Sequence, residues 1–76
     1  MVYPIKIKSA EDATKVSNVI AQTGENIFIH CGNIILDPRS VLGLLLLVGK
    51  DALLVGPDHM NPDKFSRLIN KLGTAV

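Results

Sequence analysis

The sequence predicts an α+β fold in which one four-stranded antiparallel sheet carries three helices on a single face. Apolar segments with strand-like alternation or β-branched composition recur along the chain, and Gly32-Asn33 joins two of them as a tight turn would. Segments of helical periodicity with capping residues lie between and after these strands. The resulting order, β-α-β-β-α-β-α over a single domain of residues 1–76, is typical of an open sheet with helices segregated to one side.

The first two elements are a strand over 2–8 and a helix over 10–23. The segment VYPIKIK alternates apolar and polar residues, and Pro4 suits an edge strand because it lacks a backbone N–H. Ser9 is a good N-cap for the helix, with Asp12 three residues later. Its predicted apolar face consists of Ala13, Val16, Val19, Ile20 and Thr23.

The segment ENIFIHCGNIILD predicts two antiparallel strands, over 26–31 and 34–37. Ile27, Ile29 and Cys31 would share the face under the helices, because alternate strand residues point the same way. Phe28 and His30 would then share the other face with Leu53 and Val55 of the later strand. That face is more apolar than a water-facing surface should be, so a homo-oligomer formed through it is one possibility.

The segment DPRSVLGLLLLVGKD predicts a short helix over 40–48. Pro38 could occupy its first turn, or Ser40 could cap it if it starts one turn later. Six apolar residues in it exceed what one helix face can bury, so part of the helix should be exposed to a partner; they are Val41, Leu42, Leu44, Leu45, Leu46 and Leu47.

The chain continues with a predicted strand over 51–55 and ends with a helix that starts at Pro62 and stops before Gly73. The buried stripe of this helix is predicted from helical spacing. It consists of Phe65, Leu68, Ile69 and Leu72.

Composition argues against several classes of function. A net charge of +1, without a Lys/Arg cluster, does not suit a nucleic-acid binder. The run LLLLV is too short to cross a membrane, and MVYPIKIKS does not look like a signal peptide. The single Cys31 suits a reducing cytoplasm. No spacing typical of a metal site or a cofactor-binding loop is present, so neither a metal nor a cofactor is expected.

With these elements in place, the chain resembles HPr, the small histidine-containing phosphocarrier family of the bacterial sugar phosphotransferase system. The resemblance covers nearly the whole chain in element order and is sharpest at Arg39-Ser40-Val41-Leu42-Gly43-Leu44-Leu45, where the family has a basic residue, serine, two apolar residues, glycine and two apolar residues. The preceding IFIHCGNIILD is similar to the family's second and third strands. About three residues are missing near Gly49–Asp51 relative to the family.

The resemblance implies a phosphate-accepting histidine at the start of the first helix, followed by alanine, arginine and proline. This chain has Ser9, Ala10, Glu11 and Asp12 there. A phosphocarrier needs an imidazole nitrogen as nucleophile and a cationic neighbour for the phosphate, and both are missing. No catalytic residue is therefore assigned: Ser9 is expected to cap the helix, and phosphocarrier activity is expected to be lost.

The family's second site is a serine that matches Ser40, which a dedicated kinase phosphorylates in many relatives. The resemblance thus implies regulatory phosphorylation at Ser40, although a capping serine would look the same. It also implies a partner-binding surface on helix 40–48, formed by Arg39, Ser40, Val41, Leu42, Leu44 and Leu45. Expected partners are phosphotransferase-system enzymes, a serine kinase or a transcription regulator, with no nucleic acid and no membrane.

Two alternatives to a docking module remain open from the sequence. The chain could be a true phosphocarrier with a relocated acceptor, for which His30 and His59 are the candidates. It could also be an oligomerising accessory domain on the same fold. His30, Cys31 and His59 do not form a convincing metal set, because adjacent strand residues point to opposite faces.

Overall fold

A computed structural model describes residues 1–73 and confirms the predicted fold class. Four antiparallel strands form one open sheet, and three helices complete the order β-α-β-β-α-β-α. The elements are β1 (Val2–Lys6), α1 (Ala10–Ala21), β2 (Phe28–Cys31), β3 (Ile34–Leu36), α2 (Val41–Leu45), β4 (Asp51–Val55) and α3 (Pro62–Leu72).

The strands lie in the order β1-β4-β2-β3, so β4 and β2 are central while β1 and β3 form the two edges. Tyr3 pairs with Leu54, and Leu54 also pairs with Ile29 of β2. Because the side-chain period of a strand is two, this register sets which residues of all four strands share a face.

The core lies between the sheet and the helices. Ile29 and Leu54, from the two central strands, are completely buried together with Val16 of α1 and Leu72 of α3. Burial of these aliphatic side chains is the main term that stabilises so small a domain.

The opposite side of the sheet carries no helix, and we call it the open face. The register places residues from all four strands on it, and their apolar character is as the sequence predicts. They are Val2, Pro4, Lys6, Phe28, His30, Ile35, Asp51, Leu53 and Val55. Several of them are substantially exposed, Ile35 to 63%.

Most predicted element boundaries differ from the observed ones by a few residues at the ends. The first strand stops at Lys6, although Ile7 is buried and its carbonyl accepts a hydrogen bond from the Gly49 N–H at 2.7 Å. α1 ends at Ala21 instead of residue 23, and α2 covers Val41–Leu45 within the predicted 40–48. Short end segments of this kind depend on tertiary contacts that local sequence does not encode.

The β2–β3 hairpin turns through Gly32, which has φ of 59°, whereas Asn33 keeps a negative φ. The dipeptide thus supplies the positive φ expected of a tight hairpin turn, and Gly32 is the residue that adopts it. A glycine in the left-handed region at the first turn position is characteristic of a type II′ hairpin turn.

A buried serine connects α1 to the loop that precedes α2. The Ser17 hydroxyl donates to the backbone carbonyl of Arg39 at 3.1 Å. This bond fixes the point at which the chain enters α2, and the two helices pack against each other.

The register of β4 leads to a direct test of the fold. Leu54 is fully buried, whereas its neighbour Leu53 is 42% exposed on the open face. Leu54→Ala should lower the free energy of unfolding by about 2–5 kcal/mol, because it leaves a cavity in the core. Leu53→Ala should cost about 1 kcal/mol or less. Urea denaturation measures both, and a larger loss for Leu53→Ala than for Leu54→Ala would indicate that β4 is shifted by one residue.

Candidate functional site

The short helix α2 divides its leucines between the core and the surface. Leu44 and Leu47 are buried, whereas Leu42 is 78% exposed and Leu46 is 71% exposed. Leu45 and Val48 are also substantially exposed. We call the four exposed side chains, Leu42, Leu45, Leu46 and Val48, the leucine patch.

This division changes the set of residues available to a partner. Leu44 was expected at the partner surface, but it is completely buried and belongs to the core. Val41 is only partly accessible, while the exposed Leu46 extends the patch one residue beyond the predicted set. Residues four apart on a helix lie on the same face, which is why Leu42 and Leu46 are exposed together.

Ser40 starts α2 and is its N-cap. Its hydroxyl accepts the backbone N–H of Gly43 at 3.4 Å, and its own backbone lies in the extended region, as an N-cap should. Of the two starts that the sequence left open, the helix thus begins after Ser40 and not at Pro38. Ser40 is an exposed residue.

Arg39 is not a free cation beside Ser40, because it is paired with Asp37. Its guanidinium donates to both carboxylate oxygens of Asp37, with Nη2 2.9 Å from Oδ2 and Nε 3.0 Å from Oδ1. These hydrogen bonds lower the pKa of Asp37 below its ordinary value and raise the pKa of Arg39. A phosphate on Ser40 would therefore compete with Asp37 for the same guanidinium.

The start of α1 is arranged as a helix cap. The Ser9 hydroxyl accepts the backbone N–H of Asp12 at 3.2 Å, and Glu11 and Asp12 place two carboxylates in the first turn. Carboxylates suit the positive end of a helix, but they would repel a phosphoryl group brought to Ser9. The geometry at Ser9 is that of an N-cap.

His30 and Cys31 lie on opposite sides of the sheet, as predicted. His30 is on the open face, between Leu53 and Ile35, while the Cys31 thiol packs against the core and donates to the Asp51 carbonyl at 3.5 Å. His59 lies exposed in the loop between β4 and α3. Within residues 1–73, no three His, Cys, Asp or Glu side chains come close enough together to hold a metal ion.

A cleft of about 310 Å³ lies between the end of α1 and α3, and neither Ser9 nor Ser40 lines it. Lys64 and Lys71 line it, and the Lys64 ammonium is 3.6 Å from a carboxylate oxygen of Glu25. Neither a histidine nor a cysteine lines the cleft, so it offers no side chain of the kind that a phosphocarrier uses.

Two features of the structure could not be found from the local pattern. The bond from Ser17 to the Arg39 carbonyl joins residues 22 positions apart, and the helical periodicity alone marks Ser17 only as a polar interruption of the apolar face. The β3 edge is exposed because β3 pairs only with β2, which depends on the strand order. In the local sequence, the two adjacent isoleucines Ile34 and Ile35 are the feature that indicates an apolar edge.

No protein-family model matches the sequence, and no curated protein matches it. Among the described residues, no helix is both long and apolar enough to cross a bilayer.

The capping role of Ser9 can be tested by substitution. Ser9→Ala should lower the free energy of unfolding by about 0.5–2 kcal/mol, because the Asp12 N–H loses its acceptor. Ser9→Asp should keep most of the stability, since aspartate is an equally good N-cap. Thermal and urea denaturation would measure both, and an alanine variant as stable as the parent would contradict the role.

Proposed function

We propose that this chain is a non-enzymatic, HPr-like binding module of the bacterial cytoplasm, which has lost phosphocarrier chemistry and acts by docking to proteins through helix 40–48. The observation that carries the proposal is the leucine patch: Leu42 of the five-residue helix α2 and Leu46, its C-cap residue, are both more than 70% exposed. Exposed apolar patches of this kind on small domains mark interaction sites.

The start of α1 supports the loss of carrier chemistry. Ser9 stands at the position where the resemblance places the histidine, and its hydroxyl already accepts a backbone N–H. A serine phosphate ester does not pass its phosphoryl group on as a phosphohistidine does. The flanking Glu11 and Asp12 would further disfavour a phosphate there by repulsion.

The resemblance of the motif around Ser40 to HPr suggests the kind of partner. Phosphotransferase-system enzymes, a serine kinase and a transcription regulator are the candidates. Modification of Ser40 would place a dianionic phosphate at the edge of the leucine patch and draw Arg39 away from Asp37. Such a change would alter the charge of the docking surface without altering the core.

Loss of carrier activity can be tested with the purified first enzyme of the phosphotransferase system and labelled phosphoenolpyruvate. We expect no acid-labile label on this chain under conditions that fully label an ordinary HPr. Label on the parent chain would show that carrier chemistry persists. His30→Ala and His59→Ala would then identify the relocated acceptor.

The docking surface can be tested by nuclear magnetic resonance titration of the labelled chain with the same enzyme. We expect shifts concentrated at residues 40–48. The double substitution Leu42→Gln with Leu46→Gln should weaken binding about tenfold or more, because hot-spot side chains dominate such interfaces. Val2→Thr, at a similarly exposed apolar position on β1, is the matched control and should bind as the parent does. Shifts confined to other elements would exclude this helix as the binding surface.

A further inference from the structure

The two edges of the sheet are protected to different degrees. At the β1 edge, Pro4 sits mid-strand and Lys6 follows two residues later, and both residue types discourage pairing with another strand. The β3 edge consists of Ile34, Ile35 and Leu36 and contains no charge and no proline. An apolar edge strand without such protection is a template for pairing with another strand.

The hairpin geometry shows which backbone groups of β3 face outwards. Cys31 and Ile34 flank a two-residue turn, so they form the hydrogen-bonded pair that closes the hairpin. Hydrogen-bonded and non-hydrogen-bonded pairs alternate along an antiparallel ladder, which makes His30–Ile35 a non-hydrogen-bonded pair. The N–H and C=O of Ile35 therefore point away from β2, towards the free edge.

We propose that the β3 edge pairs with β3 of a second copy of this chain, antiparallel about a two-fold axis at Ile35, to form a continuous eight-stranded sheet. In this register Ile35 exchanges two backbone hydrogen bonds with its counterpart. Ile34 lies opposite Leu36 of the other copy on the helix side of the sheet. The proposal does not depend on a relationship to the phosphotransferase system.

Stacking of two open faces alone would bury too little area for a stable dimer. Four strands of three to five residues, spaced about 4.8 Å apart, give a flat face of roughly 300 Å². A stable interface needs about 800 Å² from each partner, so the open face alone is too small.

Edge pairing would also bring together the surfaces next to β3 on both sides of the sheet, the helix side and the open face. The Leu36 Cδ2 atom lies 3.6 Å from the position that a Cβ on Gly43 would occupy, so α2 packs beside β3. The two α2 helices would thus lie on the same side of the joined sheet. On the other side, the open faces join at Ile35.

Charge also permits a second copy as the partner. The charged residues that follow β3 in the sequence, Asp37 and Arg39, neutralise each other, and a net charge of +1 per chain gives little repulsion. The same register puts the amide side chain of Asn33 opposite the Asp37 carboxylate of the second copy. A hydrogen-bond donor thus meets an acceptor at each end of the short strand pair.

Sedimentation equilibrium of the full chain over a range of concentrations tests this proposal. The parent chain should be a reversible dimer. Ile35→Pro removes the outward N–H without removing a bond to β2, and Ile35→Lys keeps the N–H but adds an edge-protecting charge. Each should raise the dimer dissociation constant about tenfold or more. Circular dichroism confirms that the variants are folded.

Val2→Lys is the matched control, because Val2 is 58% exposed on the other edge strand and Ile35 is 63% exposed. It should leave the dissociation constant unchanged. A parent chain that stays monomeric at about 1 mM would overturn the proposal. So would a Val2→Lys effect as large as that of Ile35→Lys, which would indicate stacking of the open faces. A monomeric parent would leave docking through the leucine patch to other proteins intact, so the two proposals fail separately.

Discussion

A single layer of helices can cover only one face of a sheet, and most surface features of this protein follow from that constraint. The core between sheet and helices takes up side chains such as Ile29 and Leu54 completely. With 47% hydrophobic residues in 76, the chain has more apolar side chains than this one core can enclose. The excess lies in two places, the open face and the leucine patch. A domain that needed only to fold would gain nothing from leaving both in water.

The short helix α2 shows how the excess is divided. Leu44 and Leu47 complete the core, and Ser40 fixes the first turn by capping. Leu44 and Leu47, three residues apart, share the buried face, whereas Leu42 and Leu46, four residues apart, share the opposite one. The turns that bury the first pair therefore direct the second pair outwards. Packing and exposure are thus two results of one local geometry. With this sequence, the helix cannot turn the patch towards the core without taking Leu44 and Leu47 out of the core or unwinding.

The sequence predicted the element order, the fold class and the apolar open face, because alternation, helical periodicity and capping residues are local signals that the tertiary structure here does not override. It did not separate Leu44 from Leu46 within an unbroken run of leucines, since such a run has no periodicity of its own. Nor did it predict the pairing of Arg39 with Asp37, which depends on the conformation of the turn between β3 and α2. The unprotected β3 edge follows from strand order, which requires contacts distant in sequence.

Methyl-resolved solvent relaxation tests most directly whether one side of the α2 segment belongs to the core and the other is free surface. A soluble paramagnetic agent is added to the dilute, monomeric chain, and relaxation of each leucine methyl is measured. The account predicts strong relaxation at Leu42 and Leu46 and strong protection at Leu44 and Leu47. Equal protection of all four leucines at every dilution would mean that the helix is enclosed within one subunit, and the docking account would then be wrong.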